Sequence, residues 1–246
     1  MRSEIRELST RAVDCLKYAY KLRERGEHIT TSGMRERLEA LEPSGQLSDA
    51  TVTQLFKMLA EKGFLAHTPY RGVELTPAGE MLAAELVRHH RLIELYLVRE
   101  LGYELDEVDA EAERLEHVIS EKLEERLARK LGYPTEDPHG DPIPSLSGEV
   151  VSTPTEPLAA LSPGEPAVVR RVSDDDAHLL RYLATLGLVP GARVRLIERA
   201  PFDGPVRVAI GEDEHAVEHA VGPQVAASVG VVRASAPARA ALAAMR

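Results

Sequence analysis

The stretch Ser48-Asp-Ala-Thr-Val-Thr-Gln-Leu-Phe-Lys-Met-Leu-Ala-Glu-Lys-Gly-Phe-Leu-Ala-His-Thr-Pro-Tyr-Arg-Gly-Val-Glu-Leu75 decides the fold of the N-terminal part of this chain. Ser48 or Asp49 can cap a helix over 50–62, because a short side-chain oxygen satisfies the first exposed backbone N–H groups. Val52, Leu55, Phe56 and Leu59 follow helical spacing and face inward, leaving Thr51, Thr53, Gln54 and Lys57 outside. After Gly63, two short runs with extended character flank Pro69-Tyr-Arg-Gly72, the signature of a hairpin. Upstream, Val13, Leu16, Ala19, Tyr20 and Leu22 define a helix between Ser9 and Gly26. A second helix is predicted from Ser32 to Leu41, broken by Pro43-Ser-Gly45. Three helices and a hairpin predict a winged helix-turn-helix, whose third helix is sized for a DNA major groove.

Beyond the hairpin, long helices are expected from Thr76 to about Leu101 and from Asp106 to Leu131. In the second, Leu115, Val118, Ile119, Leu123 and Leu127 form an apolar stripe. Eight prolines fall between Pro134 and Pro166, so residues 134–162 read as turns and linker. Alternating runs at 167–172, 193–197 and 206–210, with turns at Pro190-Gly191 and 202–205, predict an SH3-like small β-barrel. The fold class is therefore α+β and multidomain. It has a winged helix at 1–77, an all-α dimerisation domain at 78–145, a linker at 146–162, the barrel at 163–234 and a tail at 235–246.

Charge is unevenly shared. The net charge of −10 excludes a uniformly basic nucleic-acid binder, but residues 1–77 carry 12 Lys+Arg against 11 Asp+Glu. That segment can approach phosphate; the remainder holds the excess acid. A single cysteine, Cys15, excludes an intramolecular disulfide framework and reads as a small buried residue. No signal peptide or membrane span is apparent, and a cytoplasmic protein without membrane contact is expected. No phosphate-cradling glycine loop or nucleophile–base–acid set appears, so the chain is not expected to be an enzyme.

Glu113, Glu116 and His117, at i, i+3 and i+4, project from one side of a helix, where two carboxylates and an imidazole can share a cation. Taken alone, the trio reads more readily as a solvated acidic face. An oxygen-rich site with one nitrogen suits Mn²⁺ or Fe²⁺.

Four segments together carry a resemblance: Ser48–Gln54, Tyr70-Arg-Gly-Val-Glu-Leu-Thr-Pro-Ala-Gly79, His89-His-Arg-Leu-Ile-Glu94 and Glu113-Arg-Leu-Glu-His-Val118. The chain resembles the diphtheria-toxin-repressor family of iron- and manganese-dependent transcriptional regulators over about 9–145. Leu183-Ala-Thr-Leu-Gly-Leu-Val-Pro-Gly191 resembles the SH3-like FeoA domain. The resemblance implies a principal metal site of Asp14, Glu113, Glu116 and His117. It implies an ancillary site of His90, Glu94 and Asp109, and a third-domain ligand near Asp176, with Asp175 and His178 as neighbours. His89, about 100° away from His90 around the helix, is read as structural or exposed.

Iron-type members carry a cysteine at position 113 and a methionine at 14; oxygen donors at both favour Mn²⁺ ahead of Fe²⁺, with other divalent transition metals binding in vitro. Lys17 stands where manganese-type members have a further acidic ligand, which argues against a paired binuclear centre. The turn from Leu41 to Asp49 is longer than usual. The resemblance further implies a homodimeric repressor of metal-homeostasis genes on palindromic double-stranded operator DNA. Ser48, Thr51, Thr53, Gln54, Lys57, Lys62 and Arg71 are the candidates for base and phosphate contact. Two other classes compete: a carboxylate-bridged metal hydrolase or oxygenase, which lacks its acid–base set here, and an accessory of ferrous transport, which leaves residues 1–78 without a purpose.

Overall fold

The structure, a computed structural model, describes residues 8–41, 46–68, 72–174, 176–212 and 215–234. Its contacts divide the chain into two compact units. One comprises residues 1–92, 113–127 and 143–150; the other comprises 93–112, 128–142 and 151–246.

In the first unit, α1 (Thr10–Glu24), α2 (Thr31–Leu41) and α3 (Asp49–Glu61) precede an antiparallel hairpin of β1 (Leu65–Thr68) and β2 (Gly72–Leu75). The Ser9 hydroxyl accepts from the Ala12 N–H to start α1, and the Ser48 hydroxyl accepts from Thr51 N–H to start α3. After α1 the chain turns at Gly26, whose φ of +71° costs a residue without Cβ little. Leu16, Tyr20, Met34, Val52, Phe56 and Leu59 interleave into one core, joined by Leu65 and by Leu82 of α4 (Pro77–Leu101). The hairpin surrounds Pro69-Tyr70-Arg71, which lie outside the described residues, as do residues 42–45 of the long turn.

The single helix expected over 106–131 is two: α5 (Val108–Leu115) and α6 (Glu121–Lys130). The break has a local cause. The chain turns after Leu115, and Ser120 opens a new helix by accepting Leu123 N–H on both its hydroxyl and its carbonyl. The predicted apolar stripe is correspondingly interrupted, with Val118 76% and Leu123 45% exposed while Leu127 is buried.

The second unit contains a six-stranded antiparallel sheet of β3 (Glu156–Pro157), β4 (Pro166–Val172), β5 (Arg193–Arg199), β6 (Val206–Ile210), β7 (Val217–Val221) and β8 (Val229–Arg233), in the order β3-β8-β4-β5-β6-β7. No pairing of β3 with β7 closes the sheet among the described residues. Alternate residues of β4 are buried against Leu183, Leu188 and Val208, as the period of a half-buried strand requires. Two helices escape the alternation seen in the sequence: α7 (Ala177–Leu186), capped by Asp176 and ended at Gly187 with φ +77°, and the short α8 (Pro223–Ala227).

The two ends of 134–162 are packed, whereas 149–155 between them are exposed and without helix or strand. Asp137, His139, Asp141 and Ile143 are buried, Glu136 bridges to Pro142, and β3 leads into a 3-10 turn with Leu158 in the sheet core. Asp137 Oδ1 accepts the backbone N–H groups of His139 and Asp141, so this Pro-rich stretch packs instead of dangling. No described helix is long and apolar enough to cross a membrane. The tail at 235–246 lies outside the described residues.

Candidate metal centre

Asp14, Glu113, Glu116 and His117 come together: each offers a donor atom, and these atoms lie within 4.8 Å of one another. Asp14 arrives from the buried face of α1; Glu113 sits in the last turn of α5, and Glu116 and His117 on the turn that follows. The i, i+3, i+4 helical geometry ends at Leu115, and the donors converge with the last two on the turn beyond it. His117 Nε2 stands 3.0 Å from Asp14 Oδ1. His90 Nδ1 is 2.5 Å from Glu116 Oε2 and 3.8 Å from Glu113 Oε2.

Lys17, one turn along α1 from Asp14, is fully buried and donates to Glu113 Oε2 at 2.5 Å and Glu116 Oε1 at 2.6 Å. The electrostatics follow from this crowding. Burial raises the Glu113 pKa, and the neighbouring Glu116 charge adds to the rise against the pull of Lys17. For Glu116 burial acts the same way, yet His90 and Lys17 outweigh it and bring the carboxyl down to about 2. The close Asp14 carboxylate raises the His117 pKa, more than burial lowers it. Burial works to lower Lys17, and Glu116 and Glu113 overcome it, holding the ammonium above its ordinary value.

These residues fit a divalent cation. Metal–oxygen bonds of about 2.0–2.2 Å put opposite donors roughly 4–4.4 Å apart, and the donors of this cluster lie within 4.8 Å of one another. Asp14 Oδ1 and Glu113 Oε1 are buried with no hydrogen-bond partner of acceptable geometry among the described residues, the condition that coordination relieves. His117 Nε2 pairs with Asp14 Oδ1 at 3.0 Å without donating a directed hydrogen bond to it.

Glu94 stands apart from the rest of the expected ancillary trio. His90 and Glu94 are one turn apart on α4, but the His90 ring turns to Glu116, whereas Glu94 clusters with Asp137 and His139. Asp109 stands half-buried in the first turn of α5. Sequence reasoning missed Asp137 and His139 by treating their segment as a linker. The available signal was Asp137-Pro-His-Gly-Asp141, with three ionisable side chains in five residues.

In this second cluster all three side chains are buried, and His139 Nδ1 lies 3.8 Å from Glu94 Oε1. His139 Nε2 is 3.0 Å from the Leu105 carbonyl, which can only accept, so that nitrogen carries the proton and Nδ1 points its lone pair at the carboxylates. An imidazole lone pair facing carboxylates calls for a cation between them. Burial works to lower the His139 pKa, but Glu94, Asp137, the Leu105 carbonyl and Asp174 raise it, the metal-free counterpart of the same demand. Asp137 Oδ1 accepts the backbone N–H groups of His139 and Asp141, so one side chain shapes the loop and faces the cluster.

Asp176 belongs to none of the candidate metal clusters among the described residues. It is exposed, and its carboxylate accepts from His178 N–H and Leu179 N–H as the cap of α7. Asp174, two positions earlier, adds its charge to those of Glu94 and Asp137 at His139. Asp175 lies outside the described residues. His89 is structural as expected: it is buried with Arg88 around Glu124, at 3.1 and 2.7 Å. Cys15 is buried, and burial pushes its thiol up to about 12, which leaves it unreactive.

On α3, Thr51, Thr53, Gln54 and Lys57 are exposed, and Lys62 caps its end. Two of the hydroxyls are engaged locally: Ser48 Oγ lies 2.9 Å from Thr51 Oγ1, and Thr53 Oγ1 donates to the Asp49 carbonyl. Arg71 lies outside the described residues.

Comparison with known proteins bears on both halves. Residues 76–145 match the family model described as iron dependent repressor, metal binding and dimerisation domain; residues 156–233 match that of the FeoA domain. The iron-dependent repressor IdeR of Mycobacterium leprae is 35% identical over 222 residues, 84% of this chain and 93% of that protein. The diphtheria toxin repressor of Corynebacterium efficiens is 32% identical over 192 residues, 74% of this chain and 80% of that protein. Among solved structures, a manganese-dependent transcriptional repressor in complex with manganese superposes with a TM-score of 0.81 at 38% identity, covering 91% of this chain and 100% of that one. The manganese regulator SloR superposes at 0.71 with 31% identity, covering 91% and 98% of the respective chains.

Proposed function

The chain belongs to the diphtheria-toxin-repressor family of metal-dependent transcriptional regulators, and from that premise we propose that it is a homodimeric repressor responding to Mn²⁺ ahead of Fe²⁺. The observation that carries the reading is the convergence of Asp14 with Glu113, Glu116 and His117, residues a hundred positions apart whose donors share a span of 4.8 Å. A divalent ion, when bound, supplies the positive charge that lets three carboxylates occupy one point. Asp14 is the residue that makes this regulatory. It belongs to the helix that opens the three-helix and hairpin unit, which we read as a winged helix, so coordination there restrains the DNA-reading element.

Glu94, Asp137 and His139 form a second site, with His139 oriented by Leu105. Three carboxylates and one imidazole in the first cluster, and two with one in the second, present hard donors and no thiolate; this is the basis for placing Mn²⁺ first. The side chains of Thr51, Thr53, Gln54 and Lys57, exposed along α3, are presented to the major groove, with Ser48, Lys62 and Arg71 on phosphates. The exposed Met81, Val118 and Leu123 supply apolar surface for the two-fold contact that a palindromic operator requires. We place the protein in the cytoplasm, as a regulator and not an enzyme, acting on genes of metal homeostasis. The SH3-like character of the six-stranded sheet rests on its FeoA match.

The test is binding to duplexes selected from random genomic fragments, by fluorescence anisotropy at fixed salt with Mn²⁺ or with chelator. Mn²⁺ is expected to tighten binding by about 10-fold or more, as coupling of ~1–3 kcal/mol at each of several sites predicts. Asp14→Ala and His117→Ala should remove most of that gain while leaving the chelated protein's weak binding in place. Equal metal stimulation in both variants and the parent sinks the assignment.

A further inference from the structure

We propose that Lys17 is a tethered cation of the first cluster: its ammonium holds α1 against Glu113 and Glu116 in the metal-free protein and competes with the divalent ion for those carboxylates. This rests on the cluster being the metal site. The lysine is fully buried, and its two bonds, 2.5 and 2.6 Å long, go to carboxylates of the same group whose donors an ion would share. An ammonium is buried at such a position only when it is paired, and carboxylates this close repel one another unless a positive charge stands among them. Lys17 satisfies both conditions at once. Because it follows Asp14 by one turn on α1, a single helix face delivers a carboxylate towards His117 and a cation towards Glu113 and Glu116.

Two consequences follow. Metal-free protein keeps α1 docked, so the ion does not order a free helix; it redistributes charge within a contact already made. The ion must also take carboxylate oxygens from an ammonium that cannot diffuse away, so the lysine sets the metal concentration at which the switch responds. The response threshold lies higher than the ligands alone would give.

The experiment compares the full-length parent with Lys17→Met, a neutral side chain of similar length, by equilibrium dialysis against Mn²⁺ and by thermal unfolding in chelator. Expected are a first-cluster Mn²⁺ affinity raised by about tenfold or more, as loss of a close positive charge predicts, and a lower metal-free unfolding midpoint. Unchanged or weakened affinity, or an unchanged midpoint, overturns the inference. Should Lys17→Met not fold, the parent still decides the matter by lysine Hζ–Nζ NMR correlation. A protected ammonium resonance in metal-free protein that shifts as Zn²⁺ is added supports the lysine clasp, and absence of such a resonance overturns it. His117→Ala run in parallel separates the two readings. If it retains parental Mn²⁺ binding, the cluster is not the metal site; if it loses the ion while Lys17→Met matches the parent, only the role of the lysine falls.

Discussion

Glu124 shows how heavily single ionised residues are committed in this protein. Its carboxyl is held down to about 2, because hydrogen bonds from His89 and Arg88 outweigh the effect of burial. A carboxyl depressed on folding contributes stability above its ordinary pKa of 4.5, and that contribution is lost as pH falls from there towards about 2. Glu124→Gln is therefore expected to cost about 2–4 kcal/mol near neutrality, since it strips the partner from a buried Arg–His pair. The deficit should shrink as the parent is acidified; equal deficits at pH 7 and pH 3 in denaturant titrations would count against the network. His117 titrates with the opposite sign. Its raised pKa means that a proton competes with the ion, so Mn²⁺ affinity should climb with pH up to that pKa, by up to about tenfold per unit, and level off above it. Calorimetric titration in buffers of different ionisation heat would register the released proton.

At the scale of elements, loops carry as much of the site as helices do. The turn between α5 and α6 holds Glu116 and His117; the loop 137–141 holds two residues of the second cluster. That loop is fixed by Gly140, with φ +91°, where an added Cβ would lie 1.9 Å from the Arg170 carbonyl. Gly140→Ala should accordingly destabilise by about 3 kcal/mol or more, through backbone strain and a clash with no flexible side chain to yield. Thermal unfolding measures that loss, and Mn²⁺ uptake should fall by one ion per chain even where folding survives. The reach of the sequence differs between these two loops for physical reasons. The first cluster could be read because Glu113, Glu116 and His117 are near neighbours in a helical period and Asp14 lies in register on another amphipathic helix. The break at Ser120 could not, since the apolar period runs through it unaltered and only the cap decides. Composition hides Asp137 and His139: prolines signal irregular backbone, and irregular backbone is exposed unless its polar groups find partners. Here its amides are satisfied by Asp137 itself. Asp176 shows the reverse error, a carboxylate of the right type already engaged in capping α7.

For the whole molecule, the proposed dimer makes two quantitative demands. Light scattering should give a mass near twice 27.0 kDa with Mn²⁺ present; a strictly monomeric species at DNA-binding concentrations would rule out two-fold operator recognition. Binding should also weaken with salt along a log–log slope of about −0.9 per phosphate neutralised. Lys57→Ala, altering one contact in each half-site, is expected to flatten that slope by roughly two units while sparing sequence preference. The break at Ser120 has a last consequence for the ion itself. By ending α5 at Leu115, it leaves Glu116 and His117 beyond a helix C-terminus, where the final carbonyls project partial negative charge. For the proposed metal site this makes the backbone a silent ligand field: fusing α5 and α6 into one rod is expected to remove that negative pole and weaken Mn²⁺ binding in equilibrium dialysis, even with every donor side chain intact.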